Sequence, residues 1–182
     1  NLNFFAIENR TQIENYSNLK ILNIKDLNSR HFTASLKIDT VAHLASKYSG
    51  SSKSIENENY VLEKELLNFS LDLNVKNFIF AGSYFQDIFQ ENPTPYTIYK
   101  NKIEEMMNEF SMISDTKFIS FHLGDIYGPA DFRKKLIPYL LENENSNQID
   151  FNSDGYGAFS PIYIDDVIKS IYQITKSNNK KF

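Results

Sequence analysis

Two short stretches bring together side chains that could carry a proton and a charge. "AGSYFQ" closes the apolar run Asn77-Phe78-Ile79-Phe80 with a serine, Ser83, and "PYTIYK" places Tyr96 four residues before Lys100 at what reads as a helix start. A phenol ordinarily titrates at about pH 10, and it donates a proton well when its anion is stabilised. A lysine one helical turn further on can bring positive charge to the same helix face. Spacing alone also allows a plainer reading, with Tyr96 and Lys100 on the outside of an amphipathic helix and Ser83 capping a turn. Tyr99 competes with Tyr96, but it directly precedes Lys100, which aims it away from the lysine's face.

Composition removes other chemistries. There is no cysteine, hence no disulfide, thiolate nucleophile or zinc-thiolate site, and the three histidines are too far apart in sequence to suggest a His-built metal centre. A net charge of −4 gives no basic footprint for nucleic acid or an anionic membrane. No apolar stretch approaches the roughly 18 residues that cross a bilayer, and the start "NLNFFAIENR" lacks the basic and apolar regions of a signal peptide, so the expected location is cytoplasmic. Hydroxyls, carboxylates, lysines or a bound cofactor remain.

The elements that must position these groups alternate along the chain. At 182 residues, 41% hydrophobic and 23% charged, the sequence reads as one globular domain. Phe4 to Ile7, Lys20 to Ile24, Thr40 to Leu44, Asn77 to Ala81, Phe118 to His122 and Pro161 to Ile164 read as strands. The runs at 40, 77 and 118 lack strict alternation, as strands buried on both faces of a parallel sheet should. Between them, Ile55, Tyr60, Leu62, Leu66, Leu67 and Leu71 fall near helical spacing, and Ile98, Ile103, Met106, Met107 and Phe110 repeat the pattern behind Pro95, where a helix can begin. This alternation predicts βαβ units and an α/β fold with a Rossmann-like, doubly wound parallel sheet. Residues 142–159 form the most loop-like segment and are expected to cross the substrate side.

Five stretches, "IDTVAHLAS" (38–46), "NFIFAGS" (77–83), "PYTIYK" (95–100), "GDIYGP" (124–129) and "PIYIDDV" (161–167), occur in one order with βα spacing. Together they resemble the extended short-chain dehydrogenase/reductase family, in its nucleotide-sugar epimerase, dehydratase and reductase branch. Within that branch, "AGSYFQ" and "YGPADFRKKLIPYL" look most like the CDP-abequose and CDP-paratose synthase type of 4-ketoreductase. The resemblance runs over about residues 4–175. A full dinucleotide fold opens on a glycine-rich turn that lets backbone N–H groups meet the pyrophosphate. The six glycines here stand at 50, 82, 124, 128, 155 and 157, and none opens the first helix. "FFAIENR" is similar to the family's second strand, so the resemblance places roughly 25–30 residues, the first β-α unit, ahead of Asn1. It likewise places more of the substrate region beyond Phe182. Residues 1–125 would then be an incomplete NAD(P)-binding core and 126–182 a partial substrate-binding region.

The family's roles carry over residue by residue. Ser83, Tyr96 and Lys100 would be catalytic: Tyr96 the proton donor, Ser83 the hydrogen-bond partner of the substrate oxygen, and Lys100 the charge that acidifies the phenol and holds the nicotinamide ribose. "IKDL" resembles the strand-three element in which Asp26, with Leu27, meets the adenine edge; Lys25 replaces the usual glycine, and an N-cap is the plainer role. "HLAS" resembles the turn after strand four, with Leu44, Ala45 and Ser46 as cofactor contacts and His43 packing at the strand end. Glu8 would accept from a ribose 2′-hydroxyl and Arg10 would pair with a 2′-phosphate, so NAD and NADP both stay open. Tyr84, Asp125 and Arg133 would face the substrate, Arg133 matching a diphosphate or simply opening a solvated helix. Asn59 matches an asparagine that braces the sheet, and Asp165 and Asp166 read as a helix cap. Phe159 stands where many epimerases carry an arginine.

The resemblance implies NAD(P)H-dependent reduction of a nucleotide-linked 4-keto-deoxysugar, in building surface polysaccharide, by a homodimer. A 4-epimerase or dehydratase of the same fold stays open, as does a non-catalytic binding or assembly module. Dehydratases carry an acidic pair after the catalytic serine or threonine, where this chain has Tyr84-Phe85.

Overall fold

The computed structural model describes residues 4–8, 19–23, 37–46, 52–129, 131–151, 154, 157 and 159–176, with the backbone alone at 4–8, 19–23 and 52–58. Strands and helices alternate through most of this length. β1 (Phe4–Glu8) pairs parallel with β2 (Leu19–Asn23). β3 (Thr40–His43) leads to α1 (Ser52–Asp72), β4 (Asn77–Ser83), a single turn α2 (Phe85–Ile88), α3 (Pro95–Ser111) and β5 (Lys117–Leu123). After β6 (Asp125–Tyr127) come α4 (Leu136–Glu142), β7 (Pro161–Tyr163) and α5 (Ile164–Lys176).

Every ladder is parallel, as a βαβ chain requires. Among the described residues they form three groups rather than one continuous sheet: β1–β2, β3–β4–β5 and β6–β7. In the dinucleotide-binding strand order one more strand would lie between the β1 and β3 edges. The β6–β7 pair is a correction to the sequence reading, which has no strand at 125–127. Three residues are too few for a periodic signal, and this pairing is set by the partner, Asp125 meeting Pro161 and Tyr127 meeting Tyr163.

β4 is the centre. Asn77, Phe78, Ile79 and Phe80 are all buried, with β3 on one edge and β5 on the other. Phe78 and Phe80 join Leu66, Leu67 and Phe69 of α1 and Tyr99, Ile103 and Met107 of α3 in one apolar core. Fully burying side chains of this size is worth roughly 1.5–3 kcal/mol each. β3 ends opposite Phe80, so Ala81, Gly82 and Ser83 run on paired with β5 alone. That overhang at the carboxyl edge carries the candidate serine. Gly82 is needed there by close approach: a Cβ would come 2.7 Å from both His122 Cδ2 and Ser120 Oγ.

Local chemistry sets the helix ends around it. α1 stops before Asn74, which adopts the left-handed conformation (φ 49°) that asparagine tolerates better than most residues. α3 starts on a capping box: Thr94 Oγ1 accepts from the Thr97 N–H at 3.2 Å, and the Thr94 N–H donates to Thr97 Oγ1 at 2.9 Å, with Pro95 at the first helical position. This cap fixes Tyr96 in the first turn of α3. Asp165 and Asp166 occupy the first turn of α5, where negative charge meets the positive end of the helix dipole.

Candidate active site

The carboxyl end of β4, the turn after β3 and the start of α3 meet at one place. Ser83 is 6% exposed at the last position of β4, and its N–H donates to Gln86 Oε1 at 2.8 Å. Its Oγ accepts a long bond from the Phe85 N–H at 3.4 Å, so the hydroxyl hydrogen can point elsewhere. Gln86 in turn donates to Asn101 Oδ1 at 2.8 Å, tying α2 to α3 behind the serine. Half-buried Tyr96 has the Ser83 and Ser46 hydroxyls near enough for both to favour its anion. Ser46 Oγ is buried yet closes no bond at full hydrogen-bond distance, so its hydroxyl faces the phenol without being committed to it. Lys100 lies one turn along, with Nζ 5.5 Å from the centre of the Tyr96 ring. The structure therefore brings Ser46, Ser83, Tyr96 and Lys100 together.

Their electrostatics differ from the sequence expectation. Lys100 is expected to acidify the phenol; instead burial raises Tyr96 above its ordinary value, and the Ser46 and Ser83 hydroxyls are what pull it back down. Lys100 itself is 1% exposed and aims inward, donating to the Ala81 carbonyl at 2.6 Å with Nζ 4.3 Å from the centre of the Phe80 ring. Burial lowers it to about 8, against the opposing pull of Glu63 and Glu104. The second correction concerns Tyr99. Its ring is 5.4 Å from Lys100 Nζ, no farther than that of Tyr96, so it does not turn away from the ammonium. What separates the two tyrosines is the hydroxyl: that of Tyr99 is buried against Glu63 Oε1, and burial together with that carboxylate raises it far above the usual phenol range.

Behind the pair lies a polar cluster that the sequence reading lacks. Glu63 of α1 is fully buried, and its Oε1 stands 2.9 Å from His43 Nε2. His43 does pack at the strand end as expected, its ring stacked on Phe80 at 6.2 Å, but it also faces this carboxylate. A signal was available in the spacing: Asn59, Glu63, Leu66 and Ser70 follow one another at helical intervals and are all buried. A second unpredicted group sits beside Gly82, where His122 bridges Asp87 and Glu104, each at 2.8 Å, and is raised by both carboxylates against the opposing effect of its burial. It links β5 to α2 and α3.

The remaining expected site residues are spread more widely. Leu44 is 53% exposed, Ala45 is exposed and Ser46 is half-buried, forming the open rim of the turn after β3. Glu8 ends β1, with only its backbone described, and Arg10, Asp26 and Leu27 lie outside the described residues. On the substrate side, Asp125 pairs with Lys135 at 2.8 Å, and Tyr84 lies within the field of both. Arg133 is not held out towards a ligand: its Nε and Nη2 reach the two oxygens of Asp131 at 2.6 and 2.7 Å, and Nη2 also reaches the Ile126 carbonyl. It precedes α4 rather than opening it.

The Ser46 hydroxyl, buried without a partner behind the exposed Leu44-Ala45 rim, fits the polar nicotinamide-ribose end of a dinucleotide. Parallel folds of this type bind ligands at that edge. Among the described residues no group of three or more His, Cys, Asp or Glu could hold a metal ion.

Comparison with known proteins gives the family and the fold. CDP-abequose synthase from Salmonella typhimurium is 26% identical over 146 residues, covering 77% of this chain and 49% of that protein. The chain spans about half the length of the curated relatives it matches. Among solved structures, UDP-glucose 4-epimerase from Thermotoga maritima with UDP-glucose superposes with a TM-score of 0.77 at 18% identity, over 96% of this chain and 65% of that one. A Bordetella bronchiseptica enzyme in complex with NAD gives 0.74 at 17% identity, over 99% of this chain and 63% of that one. These likenesses establish the Rossmann-like fold. The sequence pattern of the NAD dependent epimerase/dehydratase family matches residues 3–181, from the first strand through the last helix. The chain belongs to the NAD dependent epimerase/dehydratase family.

Proposed function

We propose that this chain carries the catalytic part of an enzyme that reduces the 4-keto group of a nucleotide-linked deoxysugar. The observation that carries the reading is the Tyr96 phenol set between the Ser46 and Ser83 hydroxyls, one turn from Lys100. A nicotinamide dinucleotide supplies hydride to the carbonyl carbon when bound, and Leu44, Ala45 and Ser46 would hold its nicotinamide end. Tyr96 gives its proton to the carbonyl oxygen as that oxygen becomes an alkoxide, so the ketone ends as an alcohol. Burial keeps the phenol protonated until that moment, which suits a donor better than a base. Ser83 donates to the same oxygen with the hydrogen left free by its Phe85 contact. Lys100 places a positive charge behind the phenolate that forms. Asp125, Lys135 and Tyr84 would line the sugar-nucleotide side, and Arg133 would meet a diphosphate only by leaving Asp131. Residues 1–125 act as the dinucleotide-binding part, 126–182 as part of the substrate side, and two copies pair as a homodimer.

The CDP-abequose synthase relatives support reduction, and the tight Tyr84–Phe85 ring pair directly after Ser83, 4.3 Å apart, leaves no acidic pair for dehydration. The epimerase neighbours support a second reading, oxidation and re-reduction of one substrate. Incubating the protein with NADH or NADPH and a CDP- or UDP-linked 4-keto-6-deoxyhexose, and in parallel with NAD and the matching 4-hydroxy sugar, decides between them. Reduction of the ketone oxidises one NADH or NADPH per sugar; interconversion of two 4-hydroxy sugars with no net change in the dinucleotide, and no oxidation of NAD(P)H by the ketone, would replace this reading with the epimerase one.

A further inference from the structure

The proposed reduction leaves Glu63 and its neighbours without a task. A carboxylate withdrawn from water costs several kcal/mol unless it is paired, and this one is fully buried. Oε1 receives the Tyr99 hydroxyl and faces His43 Nε2 at 2.9 Å, while Oε2 is buried without a hydrogen-bond partner. Beside the Tyr99 ring lies the complementary problem. The Lys100 ammonium is equally buried, and the bond it makes is to a neutral carbonyl, that of Ala81. The rings of Phe80, Tyr96 and Tyr99 around it supply only weak cation–π attraction. Two buried groups of opposite charge thus meet one tyrosine, Glu63 at its hydroxyl and Lys100 with Nζ 5.4 Å from its ring centre.

We propose that Glu63 is a positioning residue of this site: bound by the Tyr99 hydroxyl and facing His43, it is the buried counter-charge that keeps the Lys100 ammonium in place beside Tyr96. The groups facing Lys100 support this. From α1 comes Glu63, the strongest influence keeping the ammonium charged. From its own helix come Tyr96, Tyr99 and Glu104, the last already engaged by Ser120 and His122. β3 contributes His43 through Glu63, and β4 contributes only the uncharged Phe80 ring and the Ala81 carbonyl. The same contact takes Tyr99 out of competition, because a phenol bound to a buried carboxylate gives up its proton only with difficulty. Tyr96 is left as the donor.

The proposal rests on Lys100 belonging to the site, but its test needs no turnover, so its failure and that of the reductase reading are separable. In protein labelled with 13Cε-lysine, the Lys100 resonance is assigned by its loss in Lys100→Arg and followed through a pH titration. Glu63→Gln is expected to lower its midpoint by about one to three pH units. Tyr99→Phe, which keeps the carboxylate, is expected to shift it less. An unmoved midpoint in Glu63→Gln, or an equal shift in Tyr99→Phe, overturns the proposal. Should Glu63→Gln fail to fold, Glu63→Asp, which draws the carboxylate back by one methylene, is titrated instead: a lowered Lys100 midpoint supports the proposal and an unmoved one overturns it.

Discussion

Charges meet in two parts of this molecule, with opposite physical consequences. Around the end of β4, Lys100, Glu63 and Tyr99 are 0–1% exposed, and every one of them leans on a neighbour that water cannot replace. Between β6 and α4, Lys135, Asp125, Arg133 and Asp131 pair at 2.6–2.8 Å, but the basic partners are 45–50% exposed. In the first region desolvation moves Lys100 to about 8 and pushes both tyrosines up. In the second, water and salt screen the pairs, and such contacts are worth about 0–1 kcal/mol. The difference separates groups fixed by packing from surface pairs that water screens.

The largest effect that would sharpen this contrast is catalytic. Lys100→Met is expected to lower NAD(P)H-dependent reduction by at least about a hundredfold, the scale on which losing an electrostatic partner of a proton donor is felt. In the unaltered enzyme, the rate is expected to fall as pH rises above about 8, where Lys100 loses its proton, while Tyr96, raised by burial, still holds its own. A rate level through pH 9 would break the assignment.

A stability measurement isolates the same group. Because the folded-state value of Lys100 lies below its unfolded value of 10.5, the unfolded chain binds more protons between about pH 8 and that value, and stability attributable to Lys100 rises across this window. Chemical denaturation of the unaltered protein and Lys100→Met at pH 7 and at pH 9.5 should show the unaltered protein gaining relative to the variant. A constant difference would mean that the ammonium is not desolvated.

Smaller effects follow away from the buried charges. Gly82→Ala is expected to cost about 1–3 kcal/mol in urea denaturation, since its methyl would enter the space of His122 and Ser120. Arg133→Ala is expected to cost less than about 1 kcal/mol, with most of that lost in 0.5 M salt. If the last two exchanged magnitudes, the distinction between the two regions would fail.

Much of this architecture is legible in the residue pattern alone, because strands buried on both faces leave continuous apolar runs. β3, β4 and β5 fall within one or two residues of the runs beginning at 40, 77 and 118, and α3 begins at the Pro95 that announces it. Faces are harder to read than elements. Apolar spacing puts Tyr60 and Ile98 towards the core, yet both are exposed, whereas Glu63, Thr97 and Lys100 are buried. Periodicity counts only apolar residues, so a helix that turns polar groups inward for chemistry misleads it. The proposed triad of Ser83, Tyr96 and Lys100 comes from type, order and resemblance. Its support cannot, because Glu63 and His43 stand 20 residues apart and meet only through packing. Short elements such as β6 and α2 carry too few residues for any pattern.

Tyr96→Phe tests the central claim most directly, since it removes one hydroxyl and keeps the ring. With a nucleotide-linked 4-keto sugar and NAD(P)H, turnover should fall by about two to four orders of magnitude while dinucleotide affinity, read by nicotinamide fluorescence, stays as it was. Turnover at the unaltered rate would contradict the account.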